Sequence, residues 1–442
     1  MLILGNGRLL TLGSKCRVIE DGALLIEGEK ISTIGETANL QAVAPDADFI
    51  DCRGRLIMPG FTCAHTHTYS AFARGMALKD DAPVNFPQIL ERLWWRLDQA
   101  LSNEDIFYSA LVTFIDSVKN GTTALLDHHA GPNAIEGSLE LIASAARMAG
   151  IRANLCYEVS DRDGEAKMLG GLEENAAFIK KCSDEKSSML TASFGMHASF
   201  TIGTKTMEKC ARTVNDLGAG VHIHAAESRE DVDDSLDKYG MGVIERLDKY
   251  GLLGDKSMTA HCVHVSDREI ELLAASQTNV AHNPQSNMNN AVGCAPVNKM
   301  LAAGVVVGMG TDGMSADMLE GLKTAHILHK FCNNDPRAGW KEVPRMQFEN
   351  NARIMSNYFI SGLNELAPGA PADVIVIDYD PPTPLTAENY YGHLVFGVTG
   401  RAVETTIVAG KILMQNRVLT EINEQEVKAK ARELAVKLWE RF

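Results

Sequence analysis

The sequence predicts an α/β protein: a (β/α)8 barrel of the TIM type, with a smaller β-sandwich domain built from both chain ends. Three observations predict it. From Phe61 to about residue 330, short β-branched runs alternate with helical stretches, the pattern of repeated βα units and a parallel sheet. Residues 1–59 and the stretch from Ala370 read as β, and the first of these is too small for a full core of its own. Histidines and acidic residues fall at the ends of predicted barrel strands, the face on which barrel active sites sit.

The elements follow in order. Leu2-Ile3-Leu4, Ala23–Glu27 and Lys30–Ile34 are short apolar or alternating runs, with Gly28-Glu29 as a tight turn between the last two. Eight barrel strands are expected over 60–67, 121–128, 151–159, 190–197, 220–225, 257–261, 279–283 and 305–312. Ser102-Asn103-Glu104-Asp105 opens a helix in the manner of a capping box, and Gly150, Gly218 and Gly304 read as helix stops. The segment from Thr68 to Leu101 is a long loop carrying Trp94 and Trp95, a candidate lid. A further helix is expected over 342–360. Ala372–Asp378, Ala402–Val408 and Gly410–Met414 then complete the N-terminal β-domain, and apolar residues from Glu424 recur at helical spacing. The expected division is 1–59 with 366–420 as the composite β-domain, 60–365 as the barrel, and 421–442 as a closing helix on the body.

Composition narrows the function classes. Apolar residues make up 45% and charged residues 22% of the 442, ordinary for a globular protein. A net charge of -15 with no basic patch argues against nucleic acid or an anionic membrane as partner and leaves a small molecule. No apolar run approaches the ~18 residues of a spanning helix, and no charged segment followed by an apolar core marks a signal peptide. Nine scattered cysteines without CxxC spacing read as reduced thiols of a cytoplasmic protein.

The chemistry starts at Pro59-Gly60-Phe61-Thr62-Cys63-Ala64-His65-Thr66-His67. Residues i and i+2 of a strand share a face, so His65 and His67 aim both imidazoles at one point. With 13 histidines in the chain, roughly 0.4 such pairs arise by chance, so the case rests on further ligands. They arrive at barrel spacing. His222 and His224 end strand five, with Glu227 just beyond; His261 ends strand six; Asp312 ends strand eight. Strands one to five span about 160 residues and six to eight about 50, near the ~30 per unit of a typical barrel. Three imidazoles and a carboxylate suit zinc or a similar divalent ion. Such an ion lowers the pKa of a bound water toward ~7, and a carboxylate beside it, here Glu227, can carry a proton to a leaving nitrogen.

PGFTCAHTH, HIHAAE, TAHCVH, NPQSN, GTDG, ADVIVID and VAGKILM, in this order, resemble the amidohydrolase superfamily, in its cytosine deaminase, guanine deaminase and chlorohydrolase branch. LWWRLDQAL, LLDHHA and SNMNN are similar to the SsnA-type aminohydrolases. The resemblance covers nearly the whole chain. It implies His65, His67, His224 and Asp312 as ligands of one divalent metal, most simply Zn2+, with Fe2+ or Mn2+ as alternatives. His224 rather than His222 takes the position of the HxxE match. Glu227 matches the proton-shuttling glutamate, His261 the histidine that orients the nucleophile or polarises the scissile bond, and Asp312 a second proton acceptor. His197 matches a substrate-contacting histidine, although Ser199 and Phe200 stand where the family motif has Pro and Tyr. No lysine occurs in the fourth strand to carry a bridging carbamate, which favours a single metal. A homodimer or higher homo-oligomer is implied by the family alone.

The expected activity is an aminohydrolase, a deaminase of an amino-substituted heterocycle or amidine-like carbon that releases ammonia. The alternative is hydrolysis of another C–X bond, a chloride or a cyclic amide, in the same site; Glu227 favours nitrogen, because halide leaves without a proton. A non-catalytic barrel would be expected to lack a ligand or the glutamate, and all are present. Candidate substrate contacts are His197, His128, Trp94 and Asn287, with His129 as an alternative to His128.

Overall fold

The computed structural model of the protein describes residues 1–442. The chain opens with β1 (Leu2–Leu10), β2 (Val18–Glu27), β3 (Lys30–Glu36), β4 (Asp48–Asp51) and β5 (Leu56–Pro59). Gly28, at φ +59°, makes the turn between β2 and β3 that a side chain would strain. The chain closes with β15 (Val374–Ile377), β16 (Val403–Val408), β17 (Lys411–Gln415) and β18 (Val418–Leu419). The two ends meet in one sheet through antiparallel β5 and β15, with Val374 opposite Pro59 and Ile377 opposite Leu56. Alternation divides the apolar side chains of this pair between two cores. Leu56, Met58, Ile375 and Ile377 join the main core. Ile57, Val374 and Val376 join a separate cluster with Leu4, Leu24 and Ile31.

Between them run parallel strands. β6 (Phe61–Thr66), β7 (Thr122–Asp127), β8 (Arg152–Leu155) and β9 (Leu190–Ala192) form one sheet; β10 (Phe194–Ala198), β11 (Val221–Ala225), β12 (Met258–His261), β13 (Asn279–His282) and β14 (Val306–Met309) form the other. Each of the eight expected strands is present, and the fourth is divided into β9 and β10. The cause is Asn175. Its Oδ1 accepts from Tyr157 N at 2.9 Å and Gly195 N at 3.2 Å, and its Nδ2 donates to Tyr157 O at 2.8 Å, replacing ladder bonds beyond Leu155. Two short bridges join the sheets at their borders, Val159 with Met196 and Thr66 with Asp312. Thr311 N and Asp312 N both donate to His65 O, at 2.9 and 3.0 Å.

Helices alternate with these strands. Ser102 caps the helix Asn103–Lys119 and exchanges bonds with Asp105 as a capping box. The expected helix over 342–360 is broken into Glu342–Pro344, a π-helical turn Arg345–Asn350, and Asn351–Met355. Its Gln347 and Asn351 amides donate to Thr62 O at 3.1 and 2.7 Å, which fixes β6 from behind. The segment after β6 carries more structure than a loop: a 3-10 turn Thr68–Ala73, a helix Phe86–Ile89, a π turn Leu90–Trp94 and a helix Trp95–Ala100. The terminal helix Glu424–Arg441 lies on this region, where Trp439 Nε1 donates to Phe72 O at 2.8 Å. All nine cysteines are free. No helix is long and apolar enough to cross a membrane.

Candidate metal centre and active-site cavity

Parallel strands carry their C-terminal ends to one side, and the polar residues singled out from the sequence gather there. The ligand atoms of His65, His67, His224 and Asp312 all lie within 4.8 Å of one another. Those of Glu227, His261 and Asp312 meet the same criterion. All six residues are buried. Several backbones there bend sharply: Ala226, His261, Cys262 and Asp312 take φ values of +49°, +74°, +48° and +54°. Non-glycine residues in the left-handed region cost on the order of 1–3 kcal/mol each and gather at functional sites. The bends are held by bonds to neighbours. Ala226 N donates to Asp231 Oδ2 at 2.8 Å and Cys262 N to Ala225 O at 3.0 Å.

Outer hydrogen bonds fix the tautomer of two rings and orient the third. A carbonyl only accepts, so His67 Nδ1 donates to His128 O at 2.5 Å and His224 Nδ1 to His197 O at 2.9 Å. His65 Nδ1 pairs with His222 Nε2 at 2.8 Å. Each of the three rings thereby has its Nε2 on the inner side. His65 Nε2 is buried with no hydrogen-bond partner, and Asp312 Oδ1 stands 3.6 Å from it and 2.9 Å from His67 Nε2. Asp312 Oδ2 accepts from Ser286 Oγ. An orphaned imidazole nitrogen amid two further imidazoles and a carboxylate, each oriented by an outer partner, fits a divalent ion. His222 lies behind His65, one residue pair deeper along β11 than His224.

Burial sets the proton affinities. Glu227 is pushed up to about 7 by burial, reinforced by Asp312 and opposed by His261. Its Oε2 is 3.6 Å from His261 Nε2, and Asn290 Nδ2 donates to its Oε1 at 3.5 Å. His261 is oriented from behind by Asn287, whose Oδ1 accepts from Nδ1 at 2.8 Å. Burial also drives His65 down to about 3 and His224 well below the usual imidazole value. Burial opposes ionisation of Asp312, yet the neighbouring imidazoles of His65 and His67 outweigh it and hold its carboxyl well below the usual range.

The site opens on a cavity continuous with solvent. His67, His224, Glu227 and Asp312 form its floor, while Tyr69, Phe86, Leu90, Trp94 and Trp95 from the segment after β6 form a wall. Of the four expected substrate contacts, His197 and Trp94 line this cavity. His128 and Asn287 do not; both are fully buried behind it. His128 Nε2 donates to His222 O at 3.0 Å, and Asn287 is held against His261, so each acts through a neighbour. His129 is also fully buried and lies off the lining.

Glu158 and the Arg162–Asp98 pair also line the cavity and were not singled out from the sequence. Glu158 is three residues past the end of β8, and its Oε1 lies 3.4 Å from His67 Nδ1 and 3.2 Å from His128 Nδ1. A lone Glu in Tyr157-Glu158-Val159-Ser160-Asp161-Arg162 has no spacing signature, although its place after a strand expected to end at a barrel mouth is a signal the sequence holds.

Known proteins give the arrangement its lineage. Residues 56–413 match the Amidohydrolase family. A 5-methylthioadenosine/S-adenosylhomocysteine deaminase of Pelotomaculum thermopropionicum is 31% identical over 442 residues, covering 99% of this chain and 98% of that one. A 5'-deoxyadenosine deaminase of Methanosarcina acetivorans is 32% identical, again over 99% of this chain and 98% of its own. Among solved structures, an adenosine deaminase from Xanthomonas campestris with bound zinc superposes with a TM-score of 0.86 at 22% identity, over 99% of this chain and 98% of that one, and shares the fold. With a family match that runs through β5 to β17 and relatives similar along their full length, the chain belongs to the amidohydrolase family.

Proposed function

We propose that this protein is a metal-dependent aminohydrolase that removes an amino group from a heterocycle as ammonia. The observation that carries the reading is the joint convergence of His65, His67, His224 and Asp312 with Glu227 and His261 on one buried floor. Deaminases among the relatives, named for 5-methylthioadenosine, S-adenosylhomocysteine and 5'-deoxyadenosine, support it. His65, His67, His224 and Asp312 hold one divalent ion, zinc by the donor set. Such an ion, when bound, would supply a Lewis acid that makes water a better nucleophile near neutral pH.

The side chains do the rest. Glu227, poised near neutrality, accepts a proton from the attacking water and passes it to the ring or leaving nitrogen. His261, oriented by Asn287, donates to or positions the oxygen being added. Ser286 holds Asp312 by its outer oxygen, so that the inner oxygen faces the imidazoles. The wall from Tyr69 to Trp95 covers a flat ring and excludes water. The bridges Val159–Met196 and Thr66–Asp312 support closure of the two parallel sheets into a (β/α)8 barrel. We divide the chain into a β-sandwich of 1–59 and 366–420, the barrel 60–365, and a helix 421–442; the split between two apolar cores across β5 and β15 supports that division.

The test is ammonia release by zinc-loaded enzyme across purines, pyrimidines, pterins, triazines and their ribosides. Release from at least one, lost on Glu227→Gln, is the expected result. Chloride or an opened ring as the only product would transfer the site to another C–X bond.

A further inference from the structure

A helix that never reaches the cavity fastens its aromatic wall from outside. The terminal helix Glu424–Arg441 and the helix Asn103–Lys119 share an ion pair at each end. Lys119 Nζ donates to Glu424 Oε2 at 2.7 Å, and Arg441 pairs with Asp105. The start of each helix meets the end of the other, so the two run antiparallel in one register. That register sets Trp439 and Arg441 against the two ends of the segment after β6. Trp439 Nε1 donates to Phe72 O at 2.8 Å, and Arg441 Nε donates to Ala100 O at 3.0 Å. Phe72 lies near the end of the 3-10 turn Thr68–Ala73, and Ala100 ends the helix Trp95–Ala100. Carbonyls in the last turn of a helix have no partner within it, so each is open to an outside donor. Tyr69 stands in the first of these elements and Trp95 in the second, and both line the cavity. No residue of the terminal helix does.

The floor of the cavity is held differently. His67, His224 and His261 stand at the ends of β6, β11 and β12, and each is oriented by a bond to another residue of the floor or to the backbone beside it. Loosening the wall therefore weakens the hold on a ring and leaves the reacting groups in place. We infer that Trp439 and Arg441 are positioning residues for the aromatic wall, acting through Phe72 and Ala100 to set how tightly a ring is held. The inference rests on the aminohydrolase reading for the ring; the fastening itself stands on the four contacts between the terminal helix and its neighbours.

Hydrogen exchange of the zinc-loaded full chain measures the fastening without any substrate. Trp439→Phe keeps an aromatic ring and removes the N–H; Arg441→Met keeps the apolar stem and removes the donors. Peptides covering residues 68–73 in the first variant and 95–101 in the second should exchange at least about tenfold faster, while those of β11, β12 and β14 keep the wild-type rate. Kinetics follow, on whichever member of the ammonia panel the wild-type enzyme deaminates fastest. KM should rise about threefold to tenfold in each variant, the scale of one lost hydrogen bond, with kcat within about twofold and one zinc per chain retained. Wild-type exchange in both segments would overturn the inference. So would faster exchange spread evenly over β11, β12 and β14, the mark of a general loss of stability. A fall in kcat at unchanged KM, or loss of zinc, would overturn it as well, by moving the effect to the floor. The aminohydrolase reading fails on a separate result, no ammonia from wild-type enzyme, which the exchange rates of the variants do not share.

Discussion

His67 Nε2 and His224 Nε2 stand 3.1 Å apart while the Nδ1 of each ring donates to a backbone carbonyl. With both Nδ1 atoms protonated, two neutral rings would set two lone pairs against each other. A proton on one ring or a cation between them resolves the conflict. In the metal-free protein it is a proton: burial pushes His67 down, but Asp312 outweighs burial and holds the imidazole up at about 9. A divalent ion takes that proton's place. Metal binding at pH 7.5 should therefore release close to one proton, and affinity should rise with pH up to about 9. Calorimetry in buffers of different ionisation enthalpy measures the release. His224→Ala should abolish the tight equivalent, and proton-independent binding would contradict this arrangement.

His222 offers a sharper check, because sequence alone left it as a rival to His224. Its Nε2 pairs with His65 Nδ1 at 2.8 Å, so on the proposed assignment it orients a ligand from behind. His222→Ala should retain one metal per chain but weaken it by about 10- to 100-fold, the usual cost of an outer partner. Complete loss of metal, as for His224→Ala, would reverse the two assignments.

Glu227 carries the pH dependence. Burial raises it to about 7, and it must be ionised to accept a proton from water. kcat/KM should then fall about tenfold per pH unit on the acid side of about 7. Glu227→Gln should cost on the order of 10²- to 10⁴-fold in kcat while one metal per chain is retained. An unshifted acid limb in a slow Glu227→Asp variant would assign that limb to another group.

The fold was legible because its signals are local and periodic. Each parallel strand is a short apolar run, and each proposed ligand lies at or just past the end of one, so HxH, HxxE and TDG fell on strand ends by counting. What was not legible depends on contacts across the sequence. Asn175 comes between Tyr157, 18 residues before it, and Gly195 of the fourth strand, 20 residues after it. Glu158 shares no motif with His67, 91 positions earlier in the chain, yet touches it. His128 and Asn287 sit after parallel strands like true lining residues, and their side chains turn to neighbouring histidines instead. The segment after β6 lacks strong helical periodicity because it is built of 3-10 and π turns.

The buried imidazoles make the metal-free protein sensitive to acid. Burial holds His65, His129 and His197 near 3 and His329 near 4, with His222, His224 and His282 well below the usual value. These seven rings are neutral in the folded state and protonated in the unfolded chain below pH ~6.5. The unfolded state therefore binds more protons, and stability falls as pH drops from about 6.5 toward 4. Three buried carboxyls oppose this: burial lifts Asp127 to about 6 and Glu227 and Asp231 to about 7. They stay protonated in the folded state where the unfolded chain has lost the proton, so between pH ~4 and ~7 they gain stability from acid. The rings outnumber the carboxyls, so the balance near pH 5 favours unfolding. Thermal melts of the chelated protein between pH 7 and pH 5 should show the midpoint dropping steeply, and a midpoint that holds or rises would show that the imidazoles are not buried neutral.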